Sequence, residues 1–191
     1  MVIGTFAYCG SGQDTLADSI CKLHGYKKYS IGDYIRNIAE NRNVSKTRIN
    51  LRKIRREYDE RYGRFYLPNE LIHQIQNDNC KNVIITGMRT IEEYTLFKEA
   101  MNIKLIFVYA DEDVRYKRML KRHSEKDEFE IHLLQKQMEA EKNMFDYDKL
   151  EKRYDIFFDF NMVLEEYIKC EVEIIDSLLL RLAQSKKGEE K

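Results

Sequence analysis

Residues 7–15 read AYCGSGQDT; a short apolar strand candidate, 2–7, precedes them, and a helical stretch, 16–23, follows. A strand, a glycine-rich turn and a helix in this order form an anion site. Glycine lets successive N–H groups bend inward, and the helix presents the positive end of its dipole. The residues that this pattern predicts to bind a phosphate group are Gly10, Ser11, Gly12, Gln13, Asp14 and Thr15.

The loop departs from the usual phosphate-binding motif G-x-x-x-x-G-K-[ST], in which lysine neutralises the outer phosphates and the hydroxyl residue holds magnesium. Ala7 stands at the first glycine, Gln13 at the lysine and Asp14 at the hydroxyl residue, while Thr15 supplies a hydroxyl one position later. Glutamine carries no charge, so we expect phosphate binding to be weaker by about tenfold or more. Asp14 and Thr15 are the candidate magnesium ligands.

Two other interpretations of the loop stay open. The first is an ordinary strand-to-helix turn, which a Gly-Ser-Gly sequence alone also fits. The second is a dinucleotide-binding turn, G-x-G-x-x-G, but Thr15 occupies its third glycine position. We therefore rank the dinucleotide interpretation below the phosphate loop.

Composition restricts the class of protein. The chain has 191 residues, 43% hydrophobic and 35% charged, which suits one α/β domain with a full core. Its 33 basic residues cancel its 33 acidic ones, so no overall field favours nucleic acid or a membrane. The apolar run 105–110 is far too short for a membrane span, and the N-terminus lacks a signal-peptide pattern. We expect a cytoplasmic protein.

Short apolar segments alternate with long amphipathic ones, which predicts a five-stranded parallel sheet with helices on both faces. The expected strands are 2–7, 26–30, 82–86, 104–110 and 154–160. Within a single domain, 1–184, we expect a helical insertion at 45–80 and a lid region at 115–145. The helix 163–183 is expected to pack its apolar residues, including Leu164, Ile168 and Val172, into the core. The tail 185–191 is expected to be disordered by composition.

The loop and five later groups of segments together resemble the P-loop nucleotide kinases, in particular the archaeal-type group similar to adenylate, cytidylate and dephospho-coenzyme A kinases. The later segments are YSIGDYIR at 29–36, TRINL at 47–51 with 57–63, TGMRT at 86–90, ADEDVRYKRMLKR at 110–122, and YDIFFDFN at 154–161. The resemblance implies a three-layer P-loop NTPase fold, an acceptor-binding insertion, lid helices, and the use of ATP with Mg²⁺.

The resemblance also assigns roles to charged residues. It implies that the acceptor is bound by Asp33, Arg36, Arg48 and Arg89, and that the lid arginines Arg115, Arg118 and Arg122 close over the donor phosphates. The residues implied to be catalytic are Gln13, Arg89, Arg118 and Arg122. Thr86 stands where many relatives place an aspartate that steers magnesium, which is a second departure from the pattern.

Solvated helix faces are the competing interpretation of several arginines. Arg115, Arg118 and Arg122 recur at helical spacing and would share one face, but an exposed helix paired with neighbouring carboxylates has the same pattern. For Arg52, Arg55 and Arg56 of the insertion we favour the solvated face.

The sequence thus predicts ATP-dependent phosphoryl transfer to a small nucleotide acceptor, a nucleoside monophosphate or a dephospho-coenzyme A-like molecule. The alternative is a nucleotide-binding module of the same fold with impaired catalysis, since Gln13 and Thr86 both remove charges. A third hypothesis is a domain that grips a macromolecular partner. The expected partner is a small nucleotide, with no nucleic acid and no membrane, and a homodimer stays open.

Overall fold

The structure is a computed structural model, which describes residues 1–122 and 131–185. Its sheet has five parallel strands in the order β2-β3-β1-β4-β5. The strands are β1 (Val2–Ala7), β2 (Lys27–Ser30), β3 (Val83–Thr86), β4 (Lys104–Tyr109) and β5 (Ile156–Asp159). The predicted parallel sheet is confirmed, with strand ends that differ by one or two residues.

Helices connect the strands in chain order. They are α1 (Gln13–His24), α2 (Ile31–Asn41), α3 (Arg48–Tyr62), α4 (Tyr66–Asn77), α5 (Ile91–Met101), α6 (Glu112–Arg122), α7 (Ile131–Met144), α8 (Tyr147–Leu150), α9 (Leu164–Lys169) and α10 (Glu171–Gln184). Helices α3 and α4 lie within the predicted insertion, and α7 lies within the predicted lid region, whereas α6 begins at Glu112, just before it. The lid residues 123–130 and the tail residues 186–191 lie outside the described part of the chain.

The core has two halves, one on each face of the sheet, because neighbouring residues of a strand point to opposite faces. Leu105 and Phe107 of β4 pack with α2, α4 and α5, whereas Ile106 and Val108 pack with α1 and α10. Burying apolar side chains on both faces explains why the strands are continuous hydrophobic runs. The expected three-layer arrangement is confirmed.

The C-terminal helical stretch corrects one expectation. It is broken at Cys170 into α9 and α10, and the residue of α9 that faces the core is Tyr167, 1% exposed. Leu164, Ile168 and Val172 are instead 53%, 60% and 54% exposed. Helical spacing alone could not show which face of this stretch packs against the sheet.

The sheet order places the carboxyl ends of β1 and β3 side by side. Helix α1 leaves β1 on one face of the sheet, and α5 follows β3 on the other. Ligands of open α/β sheets bind in the crevice that such a divergence opens. Within the described ranges, no helix combines the length and apolar composition needed to cross a membrane.

Candidate functional site

The loop between β1 and α1 has the tight backbone that its glycines predict. Gly10 and Gly12 have φ angles of +85° and +93°, in the region that favours glycine. A Cβ atom on Gly12 would lie 2.6 Å from the Phe160 ring, and one on Gly10 would lie 2.8 Å from the backbone oxygen of Arg115. The loop is therefore pressed against both the start of α6 and the segment after β5.

Several backbone amides of this loop have no hydrogen-bond acceptor among the described residues. Helix α1 has no side-chain cap, and the first intrahelical bond is donated by Leu16 to Gly12, 3.0 Å away. The N–H groups left without an acceptor belong to Gly10, Gly12, Gln13, Asp14 and Thr15. The hydroxyl of Ser11, in a residue only 1% exposed, also lacks a partner. Buried polar groups without partners are rare, so this cluster fits an anion.

Gln13 does not lie as predicted. Its Nε2 donates to the backbone oxygen of Thr5 at 2.8 Å and to Thr5 Oγ1 at 2.7 Å. Both N–H bonds of the amide are thus used inside the protein, and the side chain folds back onto β1. This corrects the expectation that the Gln13 side chain donates to a phosphate; its backbone N–H can still do so.

The two predicted magnesium ligands both line the cavity. The Asp14 carboxylate is 65% exposed and lies 3.7 Å from Lys28 Nζ. Within the described ranges, no group of three or more His, Cys, Asp or Glu side chains could hold a metal ion. Magnesium usually binds through one or two protein oxygens together with phosphate oxygens and water. The chemistry of an Asp and a Thr at this place fits that mode.

The loop opens into a cavity of about 800 Å³ that also reaches α2, α3, α6, α7 and the segment after β5. Its charge is strongly unbalanced, although the whole chain is neutral. Among the described residues, nine basic side chains line it, namely Arg36, Arg48, Arg52, Arg55, Arg89, Lys117, Arg118, Lys121 and Arg122. Only three acidic ones do so among the described residues, Asp14, Glu141 and Glu165. A cavity of this size and charge suits a polyanionic small molecule.

The acceptor candidates fall into two groups. Arg48 and Arg89 meet at the buried carboxylate of Glu141, although they are 41 residues apart in sequence. Arg36 lines the cavity from α2, where its Nε donates to Asp33 at 2.9 Å. The carboxylate of Asp33 does not line the cavity directly, and its predicted contact with substrate stays a prediction. Its position orients Arg36.

The three arginines predicted to belong to the lid do not all face the cavity. Arg118 and Arg122 line the cavity, whereas the guanidinium of Arg115 is buried beneath the loop. Arg115 Nε donates to the backbone oxygen of Ala110 at 3.1 Å, and the group lies over the Tyr8 ring. Arg115 is therefore a structural residue in this arrangement, which corrects the expectation that it binds donor phosphates.

Arg118 joins the loop to the segment after β5. Its Nη1 lies 3.2 Å from the backbone oxygen of Ser11, and its Nη2 donates to those of Phe160 at 2.7 Å and Met162 at 2.9 Å. Burial lowers the pKa of this guanidinium below its ordinary value. Because most of its N–H groups already donate to backbone oxygens, Arg118 fixes the shape of the cavity beside the loop.

Three candidate functional residues were not identified from the sequence. Arg52 and Arg55 line the cavity, contrary to the expected solvated face, while Arg56 is exposed as expected. Their signal was the spacing of Arg48, Arg52 and Arg55, which places all three along one side of a helix. Glu141 had no such signal, because its partners come from distant segments.

Comparisons with known proteins agree with this geometry. Residues 3–143 match the family described as AAA domain. The UPF0200 protein of Hyperthermus butylicus is 27% identical over 113 residues, covering 59% of this chain and 60% of that protein. The UPF0200 protein of Pyrobaculum aerophilum is 35% identical over 113 residues, covering 58% of this chain and 59% of that protein. The chain thus spans about 60% of the length of these relatives.

Solved structures confirm the fold. Shikimate kinase from Bacteroides thetaiotaomicron has a TM-score of 0.58 at 17% identity, covering 94% of this chain and 98% of its own. A gluconokinase from Sinorhizobium meliloti 1021 has a TM-score of 0.54 at 15% identity, covering 95% of each chain. At these identities the likeness establishes the fold alone.

Proposed function

Because the chain belongs to the AAA domain family and has the fold of P-loop kinases, we propose that it transfers a phosphoryl group from ATP to a small nucleotide. The acceptor class is a nucleoside monophosphate or a dephospho-coenzyme A-like molecule. The proposal rests on the row of amides at Gly10 and Gly12 to Thr15, which have no acceptor in the described part of the chain. They lie at the end of a cavity whose described lining includes nine basic side chains.

Phosphoryl transfer needs positioning and charge neutralisation more than covalent chemistry. In the proposal the loop amides and the Ser11 hydroxyl bind the donor phosphates, and the dipole of α1 favours their charge. Asp14 and Thr15 would hold Mg²⁺, which would neutralise phosphate charge when bound. Arg122, Lys117 and Lys121 of α6 line the same cavity and supply cations that the loop lacks.

The acceptor half of the cavity lies between α2, α3 and the end of β3. Arg36, Arg52 and Arg89 bring guanidinium groups from these three elements, and guanidinium groups bind phosphates with two parallel hydrogen bonds. In the proposal they hold the acceptor so that its attacking oxygen faces the donor loop. Positioning of this kind contributes several kcal/mol to a transfer reaction.

The test is turnover of ATP in the presence of Mg²⁺ with separate acceptors: the common nucleoside monophosphates and dephospho-coenzyme A. We expect ADP to form only when a particular acceptor is present. Arg89→Met should abolish transfer, whereas Arg56→Met, which replaces an exposed arginine of α3, should not. Absence of transfer to every acceptor would refute the kinase proposal.

Two observations favour a second candidate, a nucleotide-binding module with impaired catalysis. The Gln13 amide is bound to Thr5, so the loop offers no cation of its own, and Thr86 provides no carboxylate at the end of β3. Such a module should bind ATP equally well with and without Mg²⁺, as measured by calorimetry. An active kinase should instead require the metal for tight binding.

A further inference from the structure

Glu141 is a buried carboxylate that joins three separate segments at the cavity wall. It belongs to α7 and is 4% exposed. It accepts hydrogen bonds from Arg48 Nη1, from Arg89 Nη1 at 3.2 Å and from Cys9 Sγ at 3.2 Å. These partners come from the insertion, the end of β3 and the phosphate loop, so one side chain connects the three parts of the proposed site.

Arg89 is held mainly by the segment that contains Glu141. Its guanidinium carbon lies 5.0 Å from the Phe145 ring centre, and Nη1 also donates to the Tyr147 hydroxyl at 3.3 Å. The Asp146 N–H donates to the backbone oxygen of Arg89 at 3.2 Å. Of the guanidinium nitrogens of Arg89, only Nη1 makes hydrogen bonds among the described residues, so Nε and Nη2 are left for a ligand.

The charges show that Glu141 is a fixed counter-ion. Burial alone would raise the pKa of its carboxyl, but Arg89 and Arg48 outweigh burial and hold this pKa below its ordinary value. The ionised carboxylate keeps two guanidinium groups close together and leaves the trio with one net positive charge. A ligand that pulled both arginines away would leave a buried, unpaired carboxylate, which is strongly destabilising. Displacement by substrate is therefore unfavourable.

We propose that Glu141 is a positioning residue, which holds Arg48 and Arg89 as one anion-binding pair in the acceptor half of the cavity. This rests on the proposed function, since it assigns the acceptor's anionic group to the site beside Glu141. Helix α7 packs on α6 through Met138 and Met119, with Cys9 of the loop beside them. Packing of the lid helix thus completes the acceptor site.

The experiment compares Glu141→Gln with Glu139→Gln, which removes an exposed carboxylate from the same helix. Inorganic phosphate is titrated by calorimetry into protein saturated with a non-hydrolysable ATP analogue. If the analogue does not bind, phosphate is titrated alone and the proposed function is refuted separately. Thermal unfolding of each variant shows that it is folded at the temperature of the titration.

We expect Glu141→Gln to weaken phosphate binding by about tenfold or more, although it adds net positive charge, and Glu139→Gln to have no effect. In an Arg89→Gln background, Glu141→Gln should add little further loss, because Glu141 acts through Arg89. Unchanged or tighter phosphate binding in Glu141→Gln would overturn the inference. The inference would also be wrong if the wild-type protein did not bind phosphate. It would be wrong as well if Glu141→Gln reduced phosphate affinity equally in the wild-type and Arg89→Gln backgrounds.

Discussion

Replacing Gln13 with lysine should separate the two roles of this position, which supports the fold and adjoins the phosphate loop. The substitution removes the hydrogen bonds from Nε2 to the Thr5 oxygen and hydroxyl, at 2.8 and 2.7 Å. Each is worth about 1 kcal/mol, so we expect a loss of about 2 kcal/mol in unfolding free energy. For a domain of this size, that lowers the melting temperature by about 4–8 °C.

The same substitution should strengthen ATP binding. A lysine at this place adds a charged hydrogen bond to phosphate, worth about 1.5–3 kcal/mol, where the glutamine side chain now makes none. Affinity should rise by about tenfold or more, measured by calorimetry with ATP and Mg²⁺. The control is Gln13→Met, which should lose the same stability and keep the wild-type affinity. If both variants bound ATP more weakly than wild type, the Gln13 amide would already serve the phosphate, and the reasoning would be refuted.

Three further substitutions test other parts of the site. Gly12→Ala should weaken ATP binding more than tenfold in calorimetry, because its Cβ meets the Phe160 ring at 2.6 Å; Gly25→Ala, with a left-handed backbone but no atom within 4 Å, should leave binding unchanged. Arg118→Met should lower the unfolding free energy in urea by at least about 2 kcal/mol, because it removes hydrogen bonds to backbone carbonyls; an unchanged midpoint would contradict this. Ionised Glu141 should stabilise the fold fully above its ordinary pKa of 4.5, and this stabilisation should disappear as pH falls below that value, since the folded protein depresses the pKa. If the difference in unfolding free energy between wild type and Glu141→Gln did not shrink in acid, this prediction would be wrong.

The sequence predicted most of the fold because its signals are local. Alternating apolar segments defined the strands, and the glycines at 10 and 12 marked a turn that needs a left-handed backbone. The sheet faces then followed from the period of two along each strand. These features depend on neighbouring residues and not on the distant parts of the chain.

Side-chain direction was harder to predict, because it depends on partners from elsewhere in the fold. Gln13 turned away from the loop since Thr5 of β1 offered two acceptors within reach. Arg115 became buried because the loop packed directly over α6. The role of Glu141 could not be predicted, since the arginines that it joins lie 52 and 93 residues earlier in the chain.

The most direct test is a titration of the ¹⁵N-labelled protein with ATP, followed by amide resonances in NMR spectra. We expect large chemical-shift changes, together with slower hydrogen exchange, for the amides of Gly10, Gly12, Gln13, Asp14 and Thr15. Binding that perturbed other residues and left these five amides unchanged would contradict the claim that the loop holds a phosphate.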